Sequence, residues 1–505
     1  MNRKKGVLLS YILMIFEVLS TLLLTPFIIR TLGQAEYGVY RLSAVVNSYL
    51  MLLDLGIGNA VIRYVSKFRE EGDDIKQRHF FGLATVFYFL VAVMALIGGL
   101  LLIRIFPSVF AQGLTPNEIL LGQKLLGITM INSAITLGTI VYTNILVAYE
   151  KFTISRGSYI VQIILRMILI YITLRMGMGS VGIVTVNLVM TVLCRGFFVW
   201  YVFFKIKLKP MFRGIQFSFI KEILLYSSLI FLQAIATMLN STVDQILLGS
   251  LVSSSSVIVA VYAVGTQIAQ YYQSMGNAFT GILMPGIVRM VEHKADARTL
   301  TDEMVRVGRI IFTVLALILI CFFLYGKQFV TLWAGEENFQ GYYVAVILMA
   351  AYLFIYTESI GSQILWAMNE HKEQAILKIF VVALNIFLTI FLIQWNPLFG
   401  ATIGTFISLM VGDVVVMNII FVKKIGIKLR YYYIRLLEGI LPCLLISLCA
   451  GFFINFLSIS GWFGLCLKVS TICVVYAVMM WLIGMNNYEK GLVLSMMGKF
   501  KKKDK

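Results

Sequence analysis

The chain has 505 residues, of which 60% are hydrophobic and only 13% are charged, far from the mixture of a soluble globular protein. Its net charge is +18, but the basic residues lie in short loops between apolar segments, where anionic lipid headgroups account for them and nucleic acid is not needed as a partner. The six cysteines all lie inside apolar segments and have neither metal-ligand spacing nor a disulfide pattern.

Fourteen apolar segments follow one another along the chain, each long enough to cross a membrane, for which about 20 residues suffice. The predicted ranges are 8–29, 40–64, 81–106, 119–148, 157–175, 181–203, 222–249, 257–284, 307–328, 342–368, 374–395, 399–421, 433–456 and 462–484. The first segment follows a basic start, but it is too long for a signal peptide and no small-residue cleavage site follows it. We therefore predict an all-α polytopic membrane protein that keeps this helix.

The Lys and Arg residues fall into alternate loops, starting with Arg3, Lys4 and Lys5. If this start is cytoplasmic, the basic residues on the outer side are Arg30, Arg41, Arg104, Lys124, Arg175, Lys327 and Lys468, those within spans are Arg63, Arg166 and Arg195, and all the others are cytoplasmic. Because basic residues in short loops stay on the cytoplasmic side, we predict that both termini are cytoplasmic.

The chain also repeats itself with a period of about 218 residues. The matching positions are Gly58-Asn59-Ala60 with Gly276-Asn277-Ala278, Ile145-Leu146-Val147-Ala148 with Ile364-Leu365-Trp366-Ala367, and Gly182 with Gly400. Six spans per copy give both copies the same orientation, as in transporters built from parallel repeats. The predicted organisation is a six-helix lobe (1–205), a cytoplasmic linker (206–221), a second six-helix lobe (222–425), a helix pair (426–484) and a basic cytoplasmic tail (485–505).

Polar residues recur at helical spacing on several spans, and such stripes are costly to expose to lipid. We expect them to line a wet cleft between the lobes. Hydrogen bonding between helices is the alternative, and it is the favoured interpretation where a stripe holds only Ser and Thr. The predicted polar lining residues are Glu17, Asn187, Gln233, Asn240, Gln267, Gln270 and Asn277.

Basic residues at depth predict a cationic cavity, because an ionisable group inside a bilayer needs a cavity or a partner. Arginine suits phosphate, since its planar guanidinium can bond two oxygens at once. The predicted substrate-binding residues are Arg166, Arg195, Arg63, Arg30, Arg41 and Lys378. For the last four, a side chain that reaches back to the membrane surface is an equal alternative.

The acidic residues at depth either pair with these cations or bind a coupling ion. Asp244, Asn385 and Asp413 could together form an oxygen-rich cation site, and Glu358 is a further candidate. No catalytic residue, metal site or cofactor is predicted apart from a coupling H⁺ or Na⁺.

Two motifs on the first two spans carry a family resemblance. The stretch from Leu32 to Tyr40 (LGQAEYGVY), followed by DLGIGNA at Asp54–Ala60 and by Arg63, resembles the signature of the polysaccharide-transport (Wzx-like) flippases. Ala148-Tyr149-Glu150-Lys151-Phe152 matches as well. These proteins belong to the multidrug/oligosaccharidyl-lipid/polysaccharide exporter (MOP) superfamily, so the resemblance implies the MATE-like plan of two six-helix lobes plus two helices.

The resemblance implies a bacterial plasma-membrane transporter, not an enzyme. It would move undecaprenyl-diphosphate-linked oligosaccharide from the cytoplasmic to the outer leaflet by alternating access, driven by an ion gradient, for capsule, exopolysaccharide or O-antigen synthesis. Membrane lipids and the polymerase and chain-length proteins would be its partners, and a monomer would complete its own cleft. The buried arginines agree with a diphosphate substrate, but they are carried over as a type of site and not as matched positions.

Three other functions compete with this one. A lipid II flippase shares the fourteen-helix plan, whereas a multidrug/cation antiporter of the same superfamily usually has twelve helices and an acidic, aromatic cavity. A membrane glycosyltransferase or polymerase needs a large aqueous loop, and the longest outer loop here is near 107–118. No GxxxxGK[ST] phosphate loop is present, so ATP is not expected to drive the protein directly.

Overall fold

The computed structural model describes residues 2–54, 57–212, 218–368, 370, 372–456 and 459–501. Over these ranges the protein is helical and contains no β-strand. It divides into two compact units, which we call unit 1 (Met1–Ala260) and unit 2 (Val261–Lys505).

Unit 1 holds seven helices and the start of an eighth. They are α1 (Asn2–Ser48), α2 (Ile57–Glu70), α3 (Asp74–Val109), α4 (Pro116–Ala148), α5 (Phe152–Arg175), α6 (Gly179–Tyr201), α7 (Ser218–Leu251) and α8 (Ser255–Glu292), which continues into unit 2. The helices that follow in unit 2 are α9 (Ala297–Ala334), α10 (Gly341–Thr357), α11 (Ser359–Ala367), α12 (Lys372–Ile393), α13 (Pro397–Leu409), α14 (Met417–Lys424), α15 (Leu429–Leu437), α16 (Ile440–Asn455), α17 (Gly461–Met479) and α18 (Asn487–Lys501).

Nine helical spans in the described part of the chain are long and apolar enough to cross a membrane, or up to eleven if each of two bent helix pairs counts as one span. The multi-pass membrane architecture is thus confirmed, while the total of fourteen spans stays a prediction. Neither α7, with 34 residues, nor α8, with 38, is in this count, although both exceed the roughly 20 residues that a span needs.

The first two predicted spans are not separate straight helices. α1 runs through the predicted loop between them, and its one non-helical residue is Gly33, with φ of 74° and ψ of 171°. A glycine tolerates this positive φ, which a side chain would strain. The second predicted span, 40–64, is interrupted by a 3₁₀ turn at Tyr49–Asp54 before α2 begins at Ile57.

Two helices of unit 1 begin with a side chain that caps the helix N-terminus. Thr115 and Glu118 form a reciprocal capping box at the start of α4, with Pro116 in the first turn. Asp73 caps α3 by accepting from the backbone N–H of Lys76 at 2.9 Å. The hydrogen bond from the Lys76 side chain, together with this backbone bond, lowers the pKa of the Asp73 carboxyl below its ordinary value.

The repeated four-residue motif ends a helix in the same way in each unit. In both copies one backbone N–H donates to the carbonyl oxygen four residues earlier in the sequence. The N–H two positions later donates to the carbonyl oxygen five residues earlier. The amide–carbonyl pairs are Tyr149–Ile145 and Lys151–Leu146 after α4, and Met368–Ile364 and Glu370–Leu365 after α11. This part of the sequence repeat is therefore confirmed as a structural repeat.

The repeated glycines also occupy matched positions. A Cβ on Gly182 of α6 would lie 3.2 Å from the Cβ of Thr173 on α5. A Cβ on Gly400 of α13 would lie 2.3 Å from the carbonyl oxygen of Leu392 on α12. In each unit the glycine permits close packing between two consecutive helices.

A buried arginine joins α9 to the last helices of unit 2. Arg309 is 4% exposed and its Nε lies 2.6 Å from Glu489 Oε1. The guanidinium also donates to the carbonyl oxygens of Arg435, Leu436, Glu438 and Gly484. Because all of these acceptors lie far along the chain, one cation fixes the end of α15, the turn at Met480–Gly484 and α18 to α9.

Candidate functional site

The first signature motif lies where α1 meets the starts of two other helices. Oε1 of Glu36 accepts a hydrogen bond of 2.6 Å from the backbone N–H of Ser180, in the first turn of α6. A Cβ on Gly38 would lie 1.8 Å from the carbonyl oxygen of Ser256, near the start of α8. These two motif residues therefore hold α1 against the starts of α6 and α8.

The second motif contains both buried and exposed members. Asp54 accepts a hydrogen bond of 2.8 Å from the hydroxyl of Tyr88 on α3. A Cβ on Gly58 would lie 2.8 Å from Nδ2 of Asn144 on α4. Asn59 and Arg63, one turn apart on α2, are both exposed. Among the motif residues that the structure describes on α2, these last two are the ones with exposed side chains.

α2 has a polar face although it belongs to a candidate membrane span, Ile12–Glu70. Ala60, Val61 and Val65 are buried on one side, and Asn59 and Arg63 are exposed on the other. A polar helix face at membrane depth lines a water-filled or protein-filled space, since lipid cannot solvate it. The exposed side of α2 is therefore compatible with a polar space and with a side chain of Arg63 that reaches the membrane surface, and the cavity stays a prediction.

Arg195 lies where three helices of unit 1 meet. Its Nη1 donates to the hydroxyl of Thr143 on α4 at 2.5 Å, and its Cζ is 5.8 Å from the ring centroid of Tyr159 on α5. Asn187 lies two turns earlier on the same face of α6, half-buried, and its Oδ1 accepts no hydrogen bond from any described residue. We call the residues Asn59, Arg63, Thr143, Asn187 and Arg195 the unit 1 polar surface.

The sequence analysis missed the contribution of α4 to this surface. Asn132, Thr136, Thr139 and Thr143 are all half-buried and follow one helical stripe at i, i+4, i+7 and i+11. The seventh predicted span carries Gln233 and Asn240 at the same helical spacing. The polar stripe on α4 could therefore have been recognised from the sequence. The hydroxyls of Thr136 and Thr139 donate to backbone carbonyls of α4, whereas that of Thr143 accepts from Arg195.

Three arginines in candidate spans of unit 1 have no acidic partner. Arg63, Arg166 and Arg195 form no ion pair with any carboxylate in the described ranges. Arg166 is half-buried on α5. Arg41 is half-buried as well, and its Nε lacks an acceptor among the described atoms, while Arg30 is exposed. Arg63, Arg166 and Arg195 are therefore not neutralised by a carboxylate in the described part of the chain.

The other predicted lining residues of unit 1 lie on α1 and α7. Glu17 is exposed on α1, and Asn240 is half-buried on α7. Asp244 is only 3% exposed, one turn before Leu248 and just after Thr242, whose hydroxyl is 2.7 Å from that of Tyr49. The side chain of Gln233 lies outside the described part of the structure.

In unit 2 the predicted cation Lys378 is neutralised. Its Nζ lies 2.7 Å from Oδ2 of Asp413, whose side chain is 4% exposed. Asp413 lies in a π-helical turn, Met410–Val416, a distortion that is frequent at functional sites. Its second oxygen, Oδ1, is buried and accepts no hydrogen bond from the described residues.

Two further polar clusters of unit 2 hold the remaining predicted ion-site residues. Asn385 is fully buried, accepts from the hydroxyl of Thr389 at 2.9 Å and donates to that of Thr405 at 3.5 Å. Glu358, between α10 and α11, is 2% exposed and accepts from Asn418 at 3.0 Å and from the hydroxyl of Tyr433. Asp413, Asn385 and Glu358 thus have separate partners, and Asp244 belongs to unit 1.

α8 carries the predicted lining residues of unit 2. Gln267 is buried and donates to the hydroxyl of Tyr271 at 2.8 Å, whereas Gln270 and Asn277 are exposed. A Cβ on Gly276 would lie 2.4 Å from the ring of Tyr356, to which Asn277 also hydrogen bonds. As with Gly58 and Asn59, the repeated glycine packs on a neighbouring helix and the next asparagine is exposed.

Comparison with known sequences gives one family. A family model described as "Polysaccharide biosynthesis protein" matches residues 4–291, more than half of the chain. No curated protein matches this chain.

Comparison with solved structures shows the fold. The lipid II flippase MurJ, in an inward closed conformation, has a TM-score of 0.69 at 15% identity, over 94% of this chain and 97% of that one. An inward-facing multidrug resistance MATE family transporter of the MOP superfamily has a TM-score of 0.64 at 15% identity, over 82% and 94%. A MOP superfamily transporter from Pyrococcus furiosus, for which reverse polarity of the binding pocket suggests a different function, has a TM-score of 0.54 at 16% identity, over 83% and 93%. The predicted MATE- and MOP-like fold is confirmed.

Proposed function

Because the chain belongs to the polysaccharide biosynthesis protein family, we propose that it is a flippase for undecaprenyl-diphosphate-linked oligosaccharide. It moves the repeat units of a capsule, exopolysaccharide or O-antigen from the cytoplasmic to the outer leaflet of a bacterial plasma membrane. Both termini face the cytoplasm, and the two six-helix lobes alternate access to the substrate. The protein is a transporter and not an enzyme.

The observation that carries this proposal is the excess of unpaired arginine in the spans of unit 1. Arg63, Arg166 and Arg195 lie in three different candidate spans, and no described carboxylate pairs with any of them. A cation held at depth without a counter-ion is costly, so such a surface favours an anionic ligand. A diphosphate offers the oxygens that the guanidinium fork prefers.

The same observation argues against a drug antiporter. A cationic drug would be repelled by Arg63 and Arg195, whose side chains belong to the unit 1 polar surface. The acidic residues of unit 2 already have partners, since Asp413 pairs with Lys378 and Glu358 accepts from Asn418 and Tyr433. The lipid II flippase is the stronger second candidate, because its substrate is also a lipid diphosphate and the MurJ fold covers 94% of this chain.

An ion gradient drives the transport in this proposal. Glu358 suits a proton, because it is buried at a helix break and its described partners are neutral side chains. The free oxygen of Asp413 and the amide of Asn385 suit Na⁺ as oxygen ligands. Transport measured with a proton gradient alone and with a Na⁺ gradient alone separates the two, because Glu358→Gln should abolish only proton-driven transport.

The test is the accumulation of undecaprenyl-diphosphate-linked glycan in cells that lack the protein. Wild type, Arg63→Ala, Arg166→Ala and Arg195→Ala are each returned at equal membrane levels. Arg104→Ala is the matched control, because Arg104 is an exposed arginine of α3 that is not among the predicted substrate-binding residues. We expect wild type and Arg104→Ala to clear the glycan and the other three variants to leave it accumulated.

Two outcomes would reassign the function. Accumulation of lipid II in place of the glycan would make the protein a peptidoglycan-precursor flippase. Normal glycan with altered drug sensitivity would make it an antiporter.

A further inference from the structure

Unit 2 contains a cavity of about 650 Å³ where the end of α9 meets the turn between α16 and α17. The lining includes polar side chains and two lysines, and no carboxylate is among the described residues that line it. The polar members are Lys327, Gln328, Thr331, Asn455, Ser460 and Lys468. The charged side chains that line the described part of this cavity are therefore all positive.

Lys468 is the buried cation of the cavity. It is 5% exposed, its Nζ lies 3.4 Å from Oε1 of Gln328, and it is 5.7 Å from the ring centroid of Tyr325. It forms no ion pair with any described residue. A buried ammonium with only neutral partners is costly, so the site favours an anion that enters the cavity.

Two further features add positive potential. Lys327 is exposed at the cavity mouth, and α17 begins there at Gly461. Ser460, the residue before α17, makes no side-chain capping bond, so the first N–H groups of this 19-residue helix have no side-chain acceptor from it. Lys327 and Lys468 are also among the few basic residues predicted on the outer side of the membrane. The preference of basic residues for cytoplasmic loops therefore does not explain why they are there.

Exposed aromatic side chains flank the cavity and indicate a lipid. Phe456 is 83% exposed at the end of α16, and Phe463 is 78% exposed at the start of α17, next to the exposed Trp462. Tryptophan is enriched at the membrane interface, at the level of the lipid headgroups, and exposed phenylalanine is an apolar surface that acyl chains can cover. A free phosphate would need the cations but not the aromatic rings.

We propose that this cavity binds the phosphate headgroup of an anionic phospholipid, with Lys468 and Lys327 as its cations and the acyl chains against the exposed aromatics. The site is distinct from the unit 1 polar surface, and the proposal does not depend on the transported substrate. The headgroup fixes the turn between α16 and α17 to the end of α9.

Native mass spectrometry of the full-length protein in detergent tests the site. The added probes are phosphatidylglycerol, phosphatidylcholine, inorganic phosphate and undecaprenyl diphosphate. The variants are Lys468→Gln, Lys327→Gln and the matched control Lys124→Gln, an exposed lysine of α4. Lys327→Gln is included because its exposed position keeps the test valid if Lys468→Gln fails to fold.

We expect wild type and Lys124→Gln to retain phosphatidylglycerol in preference to phosphatidylcholine. Lys327→Gln should bind phosphatidylglycerol about fivefold more weakly, the factor that one basic residue contributes against an anionic lipid surface. Equal retention of both lipids, or unchanged binding in Lys327→Gln, would overturn the proposal. Displacement of phosphatidylglycerol by inorganic phosphate would assign the site to a free anion. Displacement by undecaprenyl diphosphate would assign it to the polyprenyl substrate. Either result would reject the phospholipid as the ligand.

Discussion

Lys378 and Asp413 form an ion pair of 2.7 Å that joins α12 to the π-helical turn Met410–Val416. The two ends of this pair differ in exposure, since 29% of the Lys378 side chain but only 4% of the Asp413 side chain is exposed. The lysine can therefore be removed without a large cavity, whereas the carboxylate has no route to water. Removing Lys378 alone therefore tests how much its positive charge stabilises the buried carboxylate of Asp413.

Lys378→Ala should destabilise the protein by about 3–5 kcal/mol, because it leaves Asp413 charged, buried and unpaired. The double variant Lys378→Ala/Asp413→Ala should recover most of that loss. Thermal unfolding of the purified protein in detergent measures both. Lys67→Ala is the control, because its ion pair with Glu71 is exposed and 3.8 Å long, and it should cost less than about 1 kcal/mol. A double variant as unstable as the single one would contradict this account.

Gly38→Ala should destabilise unit 1, because its Cβ would lie 1.8 Å from the carbonyl oxygen of Ser256, a backbone atom that cannot rotate away. Gly196→Ala in α6 meets no atom within 4 Å. It should stabilise the protein by about 0.5–1 kcal/mol, since alanine is the better helix former. Melting temperatures and membrane levels of the two variants should move in opposite directions, and a shared direction would show that the contact with Ser256 is not maintained.

Tyr88→Phe removes the hydroxyl that bonds Asp54 and should cost about 1.5–3 kcal/mol, the contribution of a hydrogen bond to a charged group. Glycan export at permissive temperature should persist, because Asp54 and Tyr88 position α2 and do not contact the substrate in our proposal. Tyr431→Phe removes a similar bond to Asp302 at an exposed site and serves as the control. An intact melting temperature with lost export would instead place Asp54 in the transport cycle.

Arg195→Lys keeps a positive charge but loses the planar fork, so it should leave glycan accumulated, although less than Arg195→Ala does. Thr143→Val removes the hydroxyl to which Nη1 of Arg195 donates and should reduce export only partly, because the charge remains. Glycan accumulation at matched membrane levels measures all three. Full export by Arg195→Lys would show that export needs the positive charge at this position but not the planar guanidinium.

The sequence predicted the fold class well, because apolar spans of this length have few alternatives in a membrane. It did not decide between a cavity and the membrane surface for Arg63, and the binding roles of Arg63 and Arg195 stay predictions. It did not predict which polar residues pair across helices. Lys378 with Asp413 and Glu358 with Asn418 are 35 and 60 residues apart, and no local pattern encodes such contacts.

The signature motifs had the opposite outcome. Their pattern was easy to find, but several of the members that the structure describes pack helices together. Glu36 accepts from the start of α6, and Gly38 leaves room for the backbone of α8. A motif marks a position that tolerates few residue types, and tight packing imposes that restriction as strongly as ligand binding does.

The network around Arg309 has a consequence for the order of synthesis. Arg309 precedes Arg435 by 126 residues and Glu489 by 180. During translation its guanidinium therefore enters the membrane region well before its acceptors exist, and it needs water or a chaperone until the last helix emerges. A ribosome product that stops before Glu489 retains an uncompensated cation beside α9. We therefore expect chains that stop before Glu489 to be degraded faster than the full chain.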